Sequence, residues 1–446
     1  MKKIINKLVF CLICFSCNAF ADEFIYGKLV AGFQNNQQQN TSIDVRSGVV
    51  DYGSYFGIHG HEQLTEQTLF IWQVEQFLDI SSGQSYNITT AGGLIMPRDN
   101  TSNGMPLANI NQLATSDSYI GIQSSWGSIK LGNLSSYLRA NMGAVDVFNY
   151  GNSSNGLNIW SRTSNNMVLP SSFFYNSSIW NGFTLGFQYS YTNAFNLGPN
   201  FDNSLANNGT GNNGYYSDGI FSFGLAWTHG NFKINYGAQL WPKVGAYNGQ
   251  YLENTIQPVG SNAQYDNAYV NRLEVSYNDP DGIFMAIGAQ VTSGLGWYGW
   301  ANSGGSFNNY IVNSGFNYAS LSQKAYQTQE YAISAGYHLG EWTPKLAYVY
   351  GNNMMYGGSI GEILVGRADQ IPDTGYQQIV AEIDLNLSPR TILFANYGQT
   401  WFGSTLQNIQ YCGINCNNGN PGVNGNVSNQ TFLNQSTFAI GMSHVF

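Results

Sequence analysis

Apolar and polar residues alternate along most of this chain, and beyond its amino-terminal segment no run of about 18 apolar residues occurs. In the segment 231–241, Phe232 and Ile234 fall on one side of an extended backbone, whereas Lys233 and Asn235 fall on the other. A period of two is the pattern of a β-strand with one apolar face. The sequence therefore predicts an all-β protein.

Composition narrows the kind of β protein. The chain is 15% aromatic and only 9% charged, with 52 Gly, whereas an ordinary globular domain has about 25% charged residues. A disordered chain would be poor in aromatic residues. The segments 182–191 and 377–387 repeat the alternation, and their second face carries charged, Gly or small polar residues. These features favour strands that contact water on one face and an apolar medium on the other.

The connections between the predicted strands are of two alternating kinds. Short connections lie near 61–66, 125–126, 180–181, 229–230, 278–281, 339–341 and 388–389. Long connections, rich in Asn, Gly and Ser, lie near 34–49, 78–116, 135–171, 193–216, 242–265, 293–326, 352–375 and 402–435. Seven short and eight long connections separate sixteen strands. Short periplasmic turns and long extracellular loops are typical of antiparallel transmembrane β-barrels in the outer membrane.

A closed barrel explains this pattern better than a soluble sandwich. A chain of this length would need several sandwich domains, and the sequence shows no linker or change of composition between them. Closure removes the sheet edges that lipid cannot hydrate, and sixteen strands enclose an aqueous channel. We therefore expect the last strand, which ends at Phe446, to pair with the first strand at 24–33.

The amino end has the features of a secretory signal peptide over residues 1–21. Lys2, Lys3 and Lys7 precede a short apolar core, and Ala19-Phe20-Ala21 forms a small-x-small cleavage site. We expect a mature barrel domain over 22–446. Loss of the three lysines takes the formal charge from −9 to −12, so nucleic acid is excluded as a partner.

Two cysteines remain in the mature chain, Cys412 and Cys416. Their spacing in an exported chain predicts a small disulfide loop, because no His lies near enough in sequence to complete a zinc site. His59 and His61 share one face of a strand but have no visible third ligand. We predict no metal and no cofactor.

Four stretches and the carboxyl terminus resemble the general porins of Gram-negative bacteria. They are SYFGIHGHEQL (54–64) with FIWQVE (70–75), SYIGIQSSWGSIKLGN (118–133), the long segment 162–189, and the closing GMSHVF. The resemblance implies a homotrimer of sixteen-stranded barrels in the outer membrane. Each barrel would be a passive pore for ions and small hydrophilic solutes, with its third loop, about 135–171, folded inward.

The resemblance also implies partners. The outer face would contact outer-membrane lipids and lipopolysaccharide, and the terminal Phe446 would belong to the signal that the barrel-assembly machinery reads. Tyr55, His59 and Asn133 stand where the family usually has basic residues, so the lumen of this chain would carry fewer positive charges than is usual in the family.

The selectivity of a passive pore depends on its width and on the charges that line it. Strand phase predicts that the following charged residues face the lumen: Lys28, Glu75, Lys130, Lys233, Arg272, Glu274, Glu330, Lys345, Glu382 and Asp384. Within the third loop we expect Arg139, Asp146 and Arg162 to form the constriction, opposed by Lys28, Glu75 and Lys130 on the wall.

Other functions compete with a general pore. Aromatic and basic lining residues could select a sugar or an organic acid, and the long loops could serve adhesion. A barrel enzyme needs Ser, His and a carboxylate together near the outer rim, whereas most His residues lie near short turns. We therefore expect a channel and no enzyme, and the ion preference stays open.

Overall fold

The computed structural model describes residues 22–38, 46–81, 113–149, 159–160, 168–191, 219–241, 268–293, 326–356, 369–370, 372–404 and 434–446. The predicted signal peptide, Arg162, Cys412 and Cys416 lie outside these residues. In the part of the chain so described, no helix has the length and apolar character needed to span a bilayer.

One antiparallel sheet holds all the described strands. They are β1 (Asp22–Gln38), β2 (Arg46–Asp51), β3 (Tyr55–Thr65), β4 (Thr68–Phe77), β5 (Ser118–Ser124), β6 (Gly127–Ser135), β7 (Val168–Ser177), β8 (Phe183–Ser190), β9 (Ile220–His229), β10 (Phe232–Trp241), β11 (Ala268–Asn278), β12 (Ile283–Ser293), β13 (Tyr326–Tyr337), β14 (Trp342–Gly351), β15 (Met355–Tyr356), β16 (Asp369–Gln370), β17 (Tyr376–Ser388), β18 (Thr391–Phe402) and β19 (Gln435–Val445). A short helix, α1 (Tyr137–Asn141), follows β6.

These nineteen segments are sixteen barrel strands. Three barrel strands are interrupted: β2 and β3 both pair with β1, β14 and β15 both pair with β13, and β16 precedes β17 in one strand. Strand β1 pairs with β19 over eleven residue pairs, from Lys28↔Val445 to Gln38↔Gln435, and this pairing closes the barrel. The prediction of sixteen strands is confirmed.

The boundaries of several predicted connections were wrong by a few residues, as two examples show. Strand β1 continues to Gln38 and β2 begins at Arg46, inside the loop predicted near 34–49. Strand β3 continues to Thr65, inside the turn predicted near 61–66. The boundaries were predicted from where the apolar alternation stops. Backbone hydrogen bonds between strands do not depend on the side chains, so the strand pairing continues beyond that point.

The two faces of the wall differ as the alternation predicts. On β10, Phe232 and Ile234 leave 54% and 41% of their surface exposed on the outside, whereas Asn235 on the inner face is 3% exposed. The register places Lys233 on the same inner face as Asn235. Large exposed apolar side chains recur around the outside, which is the surface that lipid covers.

Candidate pore constriction

The connection between β6 and β7, here called the third loop, leaves the wall through α1. The Ser135 hydroxyl donates to Asp117 Oδ2 at 2.6 Å, and the backbone N–H of Ser135 donates to the other carboxylate oxygen. Ser136 caps the helix by accepting a hydrogen bond from the backbone N–H of Arg139 at 3.3 Å. These bonds fix the point at which the chain turns away from the strand.

Helix α1 lies against the inner wall formed by β8, β9 and β10. The Tyr137 hydroxyl donates to Asn235 Oδ1 at 2.9 Å, and the backbone N–H of Tyr137 donates to Ser222 Oγ at 3.2 Å. Asn235 Nδ2 in turn donates to the carbonyl of Asn141 at 2.6 Å. Leu138 is fully buried in an apolar cluster with Leu134 and other wall residues. Both polar and apolar contacts therefore bind the helix to the wall.

Beyond α1 the loop continues along the inner wall to β11 and β12. Glu274 on β11 accepts hydrogen bonds from the backbone N–H groups of Gly143 and Ala144, at 2.8 and 2.9 Å. Val145 and Trp160 pack in a second apolar cluster with wall residues of β12, β13 and β14. A buried carboxylate that accepts two backbone N–H groups is a strong, charge-assisted attachment.

The far end of the described loop reaches β17. The backbone N–H and the side-chain amide of Asn149 donate to Glu382 Oε1 at 3.0 and 3.2 Å, and the same amide donates to Asp384 Oδ2 at 2.8 Å. Phe148 packs against two apolar clusters of the wall. In the sheet, β7 to β14 separate β17 from β6. The described part of the third loop, residues 136–149 and 159–160, therefore follows about half of the inner circumference and occupies part of the lumen.

Charged residues flank the loop at this end. Lys345 on β14 forms ion pairs with Glu382 at 3.0 Å and with Asp384 at 2.6 Å. Lys28 on β1 interacts electrostatically with Glu382, Asp384 and Asp146. Lys28 on the wall and Asp146 in the loop therefore lie within electrostatic reach of each other.

Asp146 titrates above the ordinary range of an aspartate. Burial raises the pKa of its carboxyl to about 6, and nearby Glu274 acts in the same direction. A hydrogen bond from the backbone of Phe148 and the charges of Arg272 and Lys345 oppose this rise. The charge of the loop therefore changes between neutral and mildly acidic pH.

A second charged group lies where the loop begins. Glu75 accepts hydrogen bonds from the hydroxyls of Tyr26, at 2.8 Å, and of Ser116. Arg139 is attracted by Asp117 and Glu75, and its guanidinium lies 5.0 Å from the ring centre of Phe77. The structure thus brings together Arg139 of the loop and Glu75 of the wall.

Comparison with known proteins decides which family this barrel belongs to. Residues 9–405 match the family model described as Gram-negative porin. The chain belongs to the Gram-negative porin family. Its location is the outer membrane, and the family and the fold point to a channel rather than an enzyme.

Relatives and solved structures support the assignment. The porin is 23% identical to the major outer membrane protein P.IB of Neisseria sicca over 388 residues, covering 85% of this chain and 89% of that protein. An anion-selective porin from Comamonas acidovorans has a TM-score of 0.58 at 15% identity, covering 96% of this chain and all of that one. The in-vitro folded trimer form of OmpT from Vibrio cholerae has a TM-score of 0.50 at 11% identity, covering 96% and 99%.

The remaining predicted lumen residues of the porin lie at different depths. Lys130 lies on the inner face with its Nζ 4.2 Å from the ring centre of Tyr119. Lys233 is two residues from Asn235 toward the short turn, about 7 Å nearer the periplasmic rim. Arg272 is only 1% exposed: it donates two hydrogen bonds to Gln290 Oε1, and Trp160 of the loop lies over it. It therefore stands in the wall beneath the loop rather than at the opening.

Several residues that position the loop of the porin carry no recognisable signal in the sequence. Tyr137, Asn149 and Asp117 hold the loop, but no local pattern marks them, since their partners are distant in sequence. Glu382 and Asp384 were placed on the inner face by strand phase, yet their role in receiving the loop was not visible.

His59 and His61 are the two histidines that the sequence analysis considered as possible metal ligands. His59 packs between the rings of Phe24 and Tyr26, with centroid distances of 5.4 and 5.1 Å. Within the described ranges, no three His, Cys, Asp or Glu side chains form a group that could hold a metal ion.

Proposed function

We propose that this porin is a general-diffusion channel whose narrowest section lies between the third loop and the wall strands that carry Lys28, Glu75, Lys130 and Lys345. The observation that carries the proposal is the attachment of the loop to Glu274 and to Glu382 with Asp384. These attachments support a loop that stays inside the barrel and limits the size of a passing solute.

Conductance of the purified, folded protein in planar bilayers tests this proposal. We expect stepwise insertion and a conductance that rises in proportion to salt concentration, as in a water-filled pore. Folded protein that inserts without conducting would contradict the proposal.

We propose a weak cation preference. Among the described residues, the acidic groups on or beneath the lumen surface around the loop are Glu75, Asp117, Asp146, Glu274, Glu330, Glu382 and Asp384. The basic groups in the same described part of the chain are Lys28, Lys130, Arg139, Arg272 and Lys345. Charges lining a pore attract counter-ions, so the excess of acids favours cations. The reversal potential in a gradient of KCl measures the preference directly, and a potential of the anion-selective sign would contradict it.

We propose a homotrimer, since OmpT of Vibrio cholerae, which shares the fold, has been described in a trimer form. Sedimentation of the detergent-solubilised protein should give three chains per particle, and conductance should appear in groups of three steps. Outer-membrane lipids and lipopolysaccharide would cover the surface that remains outside the trimer.

The export features of the sequence are part of the same proposal. Cleavage after Ala21 would leave a mature chain that begins at Asp22, and Cys412 and Cys416 would form a disulfide. Intact mass of the protein purified from outer membranes tests both, because reduction of one disulfide adds about 2 Da.

A substrate-selective channel is the second candidate, and a group of aromatic side chains favours it. Phe24, Tyr26, Tyr55 and His59 contact one another on the inner face of β1 and β3. Aromatic faces in a polar lumen suit the apolar faces of a sugar ring. Saturable block of ion current by one sugar in a series of hexoses and disaccharides would support this candidate over general diffusion.

A further inference from the structure

Three glycines form a row across the inner wall under α1. Gly186 on β8 lies opposite Gly224 on β9, and Gly224 lies opposite Gly237 on β10. Their neighbours Leu185 and Leu225 are exposed on the outer face, so the glycines belong to the inner face. We call Gly186, Gly224 and Gly237 the glycine row.

Side chains of α1 and of the residue after it occupy the space that side chains on the glycine row would need. An ideal Cβ on Gly224 would lie 1.9 Å from Cε1 of the Tyr137 ring, and one on Gly186 would lie 2.5 Å from Cδ2 of the same ring. A Cβ on Gly237 would lie 2.4 Å from Met142 Sδ and 2.6 Å from Leu138 Cδ2. Real Cβ atoms essentially never approach other atoms within 3.0 Å. The helix therefore packs directly on the backbone of three adjacent strands.

Backbone conformation does not account for these glycines. The glycines of this structure with positive φ include Gly182 and Gly230 at nearby turns, but Gly186, Gly224 and Gly237 have no φ in the left-handed range. Glycine in the interior of a strand weakens it, and one common reason for its presence is the close approach of another chain segment. Here that segment is α1, whose Tyr137 also bonds to Ser222 and Asn235 on either side of the row.

We infer that the glycine row sets the bore of the channel, by fixing how closely α1 approaches the wall. A methyl group at residue 224 would have to move the Tyr137 ring from 1.9 Å to about 3.4 Å, a displacement of about 1.5 Å. The wall lies on one side of the ring, so the helix would move toward the axis of the lumen. This inference rests on the proposed function, in which the third loop forms the narrowest section.

The experiment compares Gly224→Ala, Tyr137→Ala, the double variant and Gly48→Ala. Single-channel conductance and the uptake of sugars of increasing size into liposomes are measured for each. We expect Gly224→Ala to lower the conductance and to shift the size limit to smaller sugars, and Tyr137→Ala to shift both upward. Gly48→Ala is the matched control, because a Cβ there meets no atom within 4 Å.

The double variant separates a spacing effect from general damage to the barrel. Without the Tyr137 ring the added methyl has room, so the double variant should conduct like Tyr137→Ala alone. The inference would be overturned if Gly224→Ala lowered the conductance equally in the wild-type and the Tyr137→Ala background. It would also be overturned if Gly224→Ala had the conductance and size limit of the wild type. If Gly224→Ala does not fold, an unchanged size limit in Tyr137→Ala overturns it. A folded wild-type protein that inserts without conducting would instead contradict the proposed channel function.

Discussion

Phe446, the last residue, and Gly27 of β1 form a reciprocal pair of backbone hydrogen bonds, each of 3.1 Å. The Phe446 ring fills the side-chain space of residue 27, because an ideal Cβ on Gly27 would lie 2.6 Å from Phe446 Cζ. The pair lies one step beyond Lys28↔Val445, at the periplasmic end of the strand pairing that closes the barrel. Phe446 is thus a structural part of the barrel seam.

A side chain at residue 27 should weaken that seam. Gly27→Val would place a Cβ 2.6 Å from the Phe446 ring and 2.8 Å from the carbonyl oxygen of Tyr55, and the second contact cannot relax by side-chain rotation. We expect a loss of about 1–3 kcal/mol in the free energy of unfolding, and a similar loss for Phe446→Ala. Urea unfolding in detergent, followed by the heat-modifiable band on gels, measures both. Gly48→Ala should match wild type, and a wild-type midpoint for Gly27→Val would contradict the role of the contact.

Removing the Glu274 carboxylate should loosen the third loop. Glu274→Ala leaves the half-buried N–H groups of Gly143 and Ala144 without their acceptor, and each lost bond to a charged group is worth about 1.5–3 kcal/mol. We expect more open-channel noise and frequent changes between conductance levels. Glu341→Ala, at an exposed short turn, removes the same side chain without touching the loop. Equal noise in both variants would show that Glu274 does not hold the loop.

Lys345 should control ion preference more than other lumen lysines. Lys345→Met removes the positive charge that pairs with Glu382 and Asp384 and leaves both carboxylates without their ion-pair partner beside the loop. The reversal potential in a KCl gradient should therefore shift toward cations. Lys233→Met removes a charge of the same sign nearer the periplasmic rim, and its shift should be smaller. A larger shift from Lys233→Met would place the selective section elsewhere.

Ion preference should depend on pH through Asp146. Because burial raises the pKa of this carboxyl to about 6, it is mostly ionised at pH 8 and mostly protonated at pH 4. Cation preference should therefore fall as pH decreases through about 6. Asp146→Asn should resemble the wild type at low pH and show a weaker pH dependence of ion preference between pH 5 and 7. If the ion preference of Asp146→Asn changed with pH as in the wild type, another group would be responsible for the pH dependence.

The sequence predicted the wall well because side-chain direction in a strand has a fixed period of two. Lipid favours apolar residues at outward positions, so the inward direction of residues such as Lys233 and Glu382 followed from their apolar neighbours. Periodicity does not reveal what covers an inner residue. Arg272 faces inward as predicted, but Trp160 from a remote loop shields it.

The contacts of the third loop could not be predicted from the sequence for a related reason. Tyr137 bonds to a residue 98 positions away, and Asn149 bonds to one 233 positions away. Hydrogen-bond partners of this kind depend on which strands the closed barrel brings near the loop. The glycine row likewise falls on three separate strands, and only their register shows that its members are adjacent.

The same long separations impose an order on biogenesis. Glu274 and Glu382 lie 131 and 233 residues after the loop residues that they bind. The loop can be held at these two points only after β11 and β17 have joined the sheet. Full restriction of the passage therefore requires a nearly complete barrel.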